Sequence, residues 1–68
     1  MFPIQPQRER PYICSLPAEA GPCDAVFDRF FYNVRSGKCE QFVYGGCGGN
    51  SNNFETLEKC QRRCGAGN

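Results

Sequence analysis

The run Phe27–Asn33 is dense in aromatics, and the period of two of a strand divides its residues between two faces. Phe27, Arg29 and Phe31 fall on one face, and Asp28, Phe30 and Tyr32 on the other, so neither face is bare to water. A second run, Lys38–Tyr44, carries Phe42, Val43 and Tyr44, and a turn segment ending in Gly37 joins the two. This pattern predicts a twisted antiparallel β-hairpin, with Gly37 at positive φ. Arg29, flanked by rings, is placed to stack on an aromatic face, where a shielded guanidinium contributes roughly 1 to 2 kcal/mol.

The period changes after the polar loop formed by Ser51, Asn52 and Asn53. Thr56 is a candidate N-cap for a short helix running to about Arg63. Glu58 lies in its first turn, Arg62 and Arg63 lie in its last, and Gly65 follows as a C-cap, in agreement with the helix dipole. Cys60 and Cys64 are four residues apart and share a face expected to point at the hairpin, with Leu57 beside them. Arg62 and Arg63 read as a solvated helix end.

Elsewhere no period is visible. Residues 1–12 hold Pro3, Pro6 and Pro11 among Gln5, Gln7, Arg8, Glu9 and Arg10, and read as a flexible tail with polyproline II character. The ordered domain is expected to begin near Ile13 and Cys14, and Pro17 forbids a helix through residues 15–20. Then comes the segment Gly21, Pro22, Cys23, Asp24, Ala25, Val26, Phe27. Pro22 fixes its own φ and favours an extended Gly21, and a disulfide through Cys23 would tether the crest. A loop so restrained loses little entropy when a partner grips it, and Asp24 stands at its tip. Past the second strand, Gly45, Gly46, Gly48 and Gly49 surround Cys47 and permit a backbone path close to that loop.

Composition sets the class. A chain of 68 residues buries too little apolar surface to be stable without staples, and six cysteines supply them. Such a cysteine density implies disulfides and an oxidising, extracellular compartment, so the protein reads as secreted. The N-terminus lacks the apolar core of a signal peptide and reads as a mature or recombinant start, and no run approaches a membrane span. Eight Lys and Arg against seven Asp and Glu leave a net charge of +1, too weak a field to recruit nucleic acid or an anionic membrane.

Several chemistries lack their parts. With no histidine the chain builds neither a Ser-His-Asp nor a Cys-His nucleophile, and no Cys/His zinc site, so no metal or cofactor is expected. The glycine-rich segment lacks the lysine and the helix of a phosphate loop. The nearest cysteine pair, Cys60 and Cys64, has the wrong spacing for a thioredoxin-like motif. Asp24 and Asp28 are candidates for a carboxylate pair by proximity, but a chain this small is expected to offer no cleft to hold a substrate between them. The chain reads as a non-enzyme.

The cysteines run Cys14-x8-Cys23-x15-Cys39-x7-Cys47-x12-Cys60-x3-Cys64. Between them stand Gly21-Pro22-Cys23, Arg29-Phe30-Phe31-Tyr32-Asn33, Phe42-Val43-Tyr44-Gly45-Gly46-Cys47-Gly48-Gly49-Asn50 and Asn52-Asn53-Phe54. This resembles a Kunitz domain of the pancreatic trypsin inhibitor type over residues 13–65, between a tail of residues 1–12 and a C-terminal tail of residues 66–68. Spacing alone leaves fifteen pairings open. The resemblance implies Cys14 with Cys64, Cys23 with Cys47 and Cys39 with Cys60, in a small disulfide-rich α+β fold. It also implies a buried Asn52 bonded to backbone and an Arg29 packed among aromatics.

In function, the resemblance implies a monomeric serine protease inhibitor that presents its loop like a slowly cleaved substrate. Gly21, Pro22 and Cys23 would lie on the non-primed side of the reactive bond Asp24–Ala25, Asp24 would enter the S1 pocket, and Ala25, Val26 and Phe27 would follow. Tyr44, Gly46, Cys47 and Gly48 would form the secondary contact. Trypsin-directed members carry Lys or Arg where this chain has Asp24, so weak action on trypsin is expected, and the matching protease would cleave after acidic residues. Alternative uses of the scaffold are a toxin or binding module for an ion channel or receptor, and a variant silenced by Asp24.

Overall fold

The computed structural model describes residues 10–65. Most of the expected N-terminal tail and all of the C-terminal one lie outside that range. Two antiparallel strands, β1 (Phe27–Asn33) and β2 (Lys38–Tyr44), form the sheet, and one helix, α1 (Leu57–Cys64), packs against it. The register pairs Phe27 with Tyr44, Arg29 with Phe42 and Phe31 with Glu40, which sets Phe27, Arg29 and Phe31 on one face as their alternation requires. On that face the rings of Phe31 and Phe42 meet edge to face at 5.6 Å. Gly37 adopts φ 70° and donates its N–H to the Asn33 carbonyl at 2.7 Å, closing the turn.

Within the turn, Glu40 accepts hydrogen bonds from Ser36 Oγ at 2.8 Å and from Asn33 Nδ2 at 3.1 Å. These two bonds, the Ser36 one foremost, hold its carboxyl below the usual carboxylate range, with nearby Lys38 adding a smaller pull in the same direction.

Helix α1 is capped as its sequence predicts. Thr56 Oγ1 accepts the Lys59 N–H at 3.1 Å, and Gly65, at φ 98°, donates to the Gln61 carbonyl. Leu57 departs from expectation: it is 42% exposed. The bridges to Cys39 and Cys14 attach the helix at Cys60 and Cys64, so its first turn overhangs the packed region and the leucine stays in solvent.

The centre of the molecule is largely sulfur. Cys14, Tyr32, Cys60 and Cys64 are buried, with Ile13, Phe30, Cys39 and Phe54 packed around them. The disulfides join Cys14 to Cys64, Cys23 to Cys47 and Cys39 to Cys60, the pairing that the resemblance implies. Separations of 50, 24 and 21 residues make each worth about 3 to 4 kcal/mol by loop-closure entropy, an upper bound because the loops overlap.

Two polar devices extend the sheet. Phe30 and Phe54 exchange both backbone hydrogen bonds at 2.8 Å, a bridge that serves as a rudimentary third strand. Asn52, 0% exposed, continues it: Oδ1 accepts the Tyr32 N–H at 2.9 Å, and Nδ2 donates to the Tyr32 and Leu16 carbonyls at 3.1 and 2.8 Å.

A short 3-10 helix spans Tyr12–Ser15, and Arg10 reaches back across the fold. Its Nε donates to the Cys64 carbonyl at 2.9 Å, and its guanidinium lies 4.8 Å from the Tyr32 ring centroid. A cation at a helix C-terminus and over a ring is favourable on both counts.

Two outcomes follow. Asn52→Leu strands two backbone carbonyls and one N–H, and is expected to lower stability by about 3 to 5 kcal/mol, read from urea unfolding. Because the folded-state pKa of Glu40 is depressed, its stabilising effect is complete above the ordinary carboxylate range and is lost as the pH falls through the folded value. Glu40→Gln should therefore flatten the acid limb of the stability profile, and chemical unfolding of both proteins in neutral and strongly acidic buffer measures this.

Candidate functional site

Two irregular segments meet at the end of the sheet where β1 begins and β2 ends. The first holds Gly21, Pro22, Cys23, Asp24, Ala25 and Val26 and runs into Phe27, and from Pro22 to Asp28 every residue is exposed. The second leaves Tyr44 through Gly45, Gly46, Cys47, Gly48 and Gly49. The Cys23–Cys47 disulfide ties one to the other with the Cα atoms 5.6 Å apart. Beside it, Ala25 N–H donates to the Gly45 carbonyl and Gly45 N–H to the Ala20 carbonyl, each at 2.9 Å.

This approach is possible only where side chains are absent. A Cβ on Gly45 would collide with the Cys23 carbonyl, and one on Gly21 with the Cys47 carbonyl. Gly21 stands at φ 78°, a left-handed conformation where Pro22 had led to an extended one. The close carbonyl of Cys47 decides the matter: without a Cβ, glycine fits against it. Gly46 and Gly48 also take positive φ, at 105° and 69°.

At the tip, Asp24 is exposed, and its carboxylate has no hydrogen-bond or ion-pair partner among the described residues. Val26 is 76% exposed and Phe27 47%, giving the descending arm an apolar edge. Asp28 is exposed as well. An open depression of about 360 Å³ lies among Leu16, Pro17, Phe31 and Val34, and neither aspartate lines it.

Behind the two segments sits Arg29. Its guanidinium carbon lies 5.0 Å from the Tyr44 ring centroid and 5.6 Å from that of Phe27, and Nη1 donates to Asn53 Oδ1 at 3.0 Å. The stacking was legible from the alternation. The Asn53 partner was not, since an asparagine in a polar loop reads as solvated. Tyr44 in turn donates its hydroxyl to the Gly48 carbonyl at 3.1 Å, so the glycine-rich segment is fastened by its own first residue. Among the described residues no cluster of His, Cys, Asp or Glu has the makings of a metal site.

The profile of the Kunitz/Bovine pancreatic trypsin inhibitor domain matches residues 13–65. The chain belongs to the Kunitz family. A Kunitz-type serine protease inhibitor, spermatin, from Walterinnesia aegyptia is 52% identical over 61 residues, covering 90% of this chain and 75% of that protein. KappaPI-actitoxin-Avd3a from Anemonia sulcata is 60% identical over 52 residues, covering 76% of this chain and 84% of the toxin. Among solved structures, SmCI in its complex with human carboxypeptidase A4 gives a TM-score of 0.80 at 49% identity, covering 81% of this chain and 33% of that one. One of the pore-modulating toxins that exploit inherent slow inactivation to block K+ channels gives 0.82 at 40% identity, covering 85% of this chain and 98% of the toxin. Kunitz relatives of this chain are inhibitors and toxins rather than enzymes.

Of the three Kunitz bridges, only Cys23–Cys47 lies at the surface, with Cys23 exposed and Cys47 half-buried. A mild reductant should open it first. The Cys23→Ser/Cys47→Ser double variant is expected to keep its far-ultraviolet circular dichroism while losing about 3 kcal/mol of stability. Simultaneous loss of secondary structure would refute the separation of loop tether from core staples.

Proposed function

We propose that this chain is a secreted, extracellular inhibitor that acts as a monomer on a serine protease, offering residues 21–27 like a substrate that the protease cleaves slowly and releases reluctantly. The observation that carries this reading is the cross-linked loop with an unpartnered aspartate at its tip, in a chain of the Kunitz family. Gly21, Pro22 and Cys23 lie before the scissile bond Asp24–Ala25, and Ala25, Val26 and Phe27 lie after it. Tyr44, Gly46, Cys47 and Gly48 make the secondary contact. The inhibitor supplies no catalytic group. Its contribution is a main chain already held in an extended, graspable form by the disulfide and by the Ala25 to Gly45 hydrogen bond, so little entropy is lost on docking.

Asp24 then selects the enzyme. A trypsin pocket has a carboxylate at its base, and inserting a second one exchanges an attraction for a repulsion among desolvated charges. The difference is several kcal/mol, or at least about a thousandfold in affinity. Apolar pockets avoid the repulsion and still desolvate the charge. The fitting protease has a basic S1 pocket and cleaves after acidic residues.

A second reading, the channel- or receptor-binding module, is favoured by the actitoxin relative and by the channel-blocking toxin of the same fold. It has few cations to work with. Among the described residues, the exposed bases are Arg10, Arg35, Lys38, Lys59, Arg62 and Arg63; Arg10 bonds the Cys64 carbonyl, and Lys59 and Arg62 lie beside Glu55 and Glu58 at 3.3 and 3.5 Å, which leaves Arg35, Lys38 and Arg63.

Inhibition of trypsin, chymotrypsin, elastase and an acid-specific serine protease, measured beside an Asp24→Lys variant, separates the readings. The variant is expected to gain at least about a thousandfold on trypsin, with the parent acting on the acid-specific enzyme alone. If neither protein inhibits any of the four, the protease reading falls and channel binding, lost on changing Arg35, Lys38 and Arg63, takes its place.

A further inference from the structure

The two contact segments are joined at the surface by a disulfide, but at their roots they share one side chain. Phe27 closes the first segment, Tyr44 opens the second, and the two are directly paired across the sheet. The Arg29 guanidinium lies against both rings. Each ring then touches the segment opposite or its own. Phe27 Cε2 and Cδ2 lie 3.3 and 3.8 Å from the place a Gly46 Cβ would occupy, where Ala25 Cβ also stands at 3.3 Å. Tyr44 holds the Gly48 carbonyl through its hydroxyl and packs Cε1 3.3 Å from the corresponding place on Gly49.

A guanidinium between rings is free to slide and tilt unless a directional bond fixes its plane. Among the described residues that bond comes from Asn53 alone, through Oδ1 at 3.0 Å, and no carboxylate lies within ion-pair distance of Arg29. Asn53 itself is held in place because its neighbours Asn52 and Phe54 are both bonded to β1.

We infer that Asn53 is a positioning residue for the protease-binding surface: by fixing the Arg29 guanidinium between Phe27 and Tyr44 it sets the spacing of the two contact segments. It lies on a third loop, outside both segments. Its role as an affinity determinant rests on the inhibitor reading, whereas its effect on loop order does not.

The test therefore has two arms. In the first, amide hydrogen exchange by NMR is followed in the parent, Asn53→Ala and Asn53→Asp, the last of which keeps the acceptor oxygen. Loss of the acceptor is expected to speed exchange of the Ala25 and Gly45 amides about tenfold, with the Phe30 and Tyr32 amides changed far less, and Asn53→Asp should restore protection. Equal acceleration of all four amides, or no change at Ala25 and Gly45, would overturn the inference. In the second arm the same substitutions are placed on Asp24→Lys and trypsin binding is timed. Asn53→Ala should raise the dissociation rate about tenfold and leave association nearly unchanged. If the Asp24→Lys protein itself does not bind trypsin, the inhibitor reading has failed and the exchange arm still decides the positioning role. If it binds and Asn53→Ala dissociates no faster, the positioning role in affinity is refuted.

Discussion

Among the described residues the largest fully buried side chains are those of Asn52 and three half-cystines, Cys14, Cys60 and Cys64. Everything else follows from that constraint. A core of ordinary apolar residues gains stability with the area it removes from water, and a chain this short removes little. Cross-links act on the other side of the balance by lowering the entropy of the unfolded chain, so the folded state need not bury much. The Cys14–Cys64 bridge joins the start of the domain to its end, and Cys39–Cys60 joins the sheet to the helix. With those fixed, large side chains such as Val26, Phe27, Val34 and Val43 remain exposed without loss of the fold.

Asn52 belongs to the same logic. A two-stranded sheet leaves the outer edge of β1 with unpaired backbone groups, and burying them unpaired would be costly. Phe54 satisfies the edge at Phe30 with its backbone, and the Asn52 carboxamide satisfies it at Tyr32 with a side chain whose donor and acceptor stand in for a peptide group. The loop carrying both residues becomes a fixed platform, and Asn53 between them inherits its rigidity. That platform then holds Arg29, so order passes from the cystine core to the rings behind the contact segments without an extended apolar core.

Much of this could be read from the residues. The alternation in Phe27–Asn33 and the aromatic run in Lys38–Tyr44 gave both strands with their observed limits, and Thr56 and Gly65 marked the helix because capping is a local, side-chain-specific interaction. What depended on long-range approach was less legible. Cysteine spacing does not choose a pairing, and it was family resemblance that did so. Leu57 fits the helical stripe, but periodicity carries no information about where the helix overhangs its neighbour. Arg10 sits in a proline-rich stretch that looks like a tail, and its partners are a ring and a carbonyl, one of them 54 residues away. The Gly21 backbone departs from the proline rule because that rule is local, while the Cys47 carbonyl that Gly21 fits against comes from the other loop.

The loop pair shows why framework and selectivity separate in such a domain. The tethers that set its shape are a disulfide, two backbone hydrogen bonds and close contacts permitted by glycine, none of which involves the Asp24 side chain. A substitution at Asp24 therefore changes charge at the tip and leaves the backbone path alone. On the proposed reading, the net charge of +1 also matters: with little long-range field, discrimination among proteases falls to contacts made after encounter. Those contacts are dominated by the one charge that must be desolvated in a pocket, because the glycine-rich partner segment presents little beyond main chain. On that reading, the scaffold holds its backbone path constant while the exposed Asp24 side chain carries the choice of target.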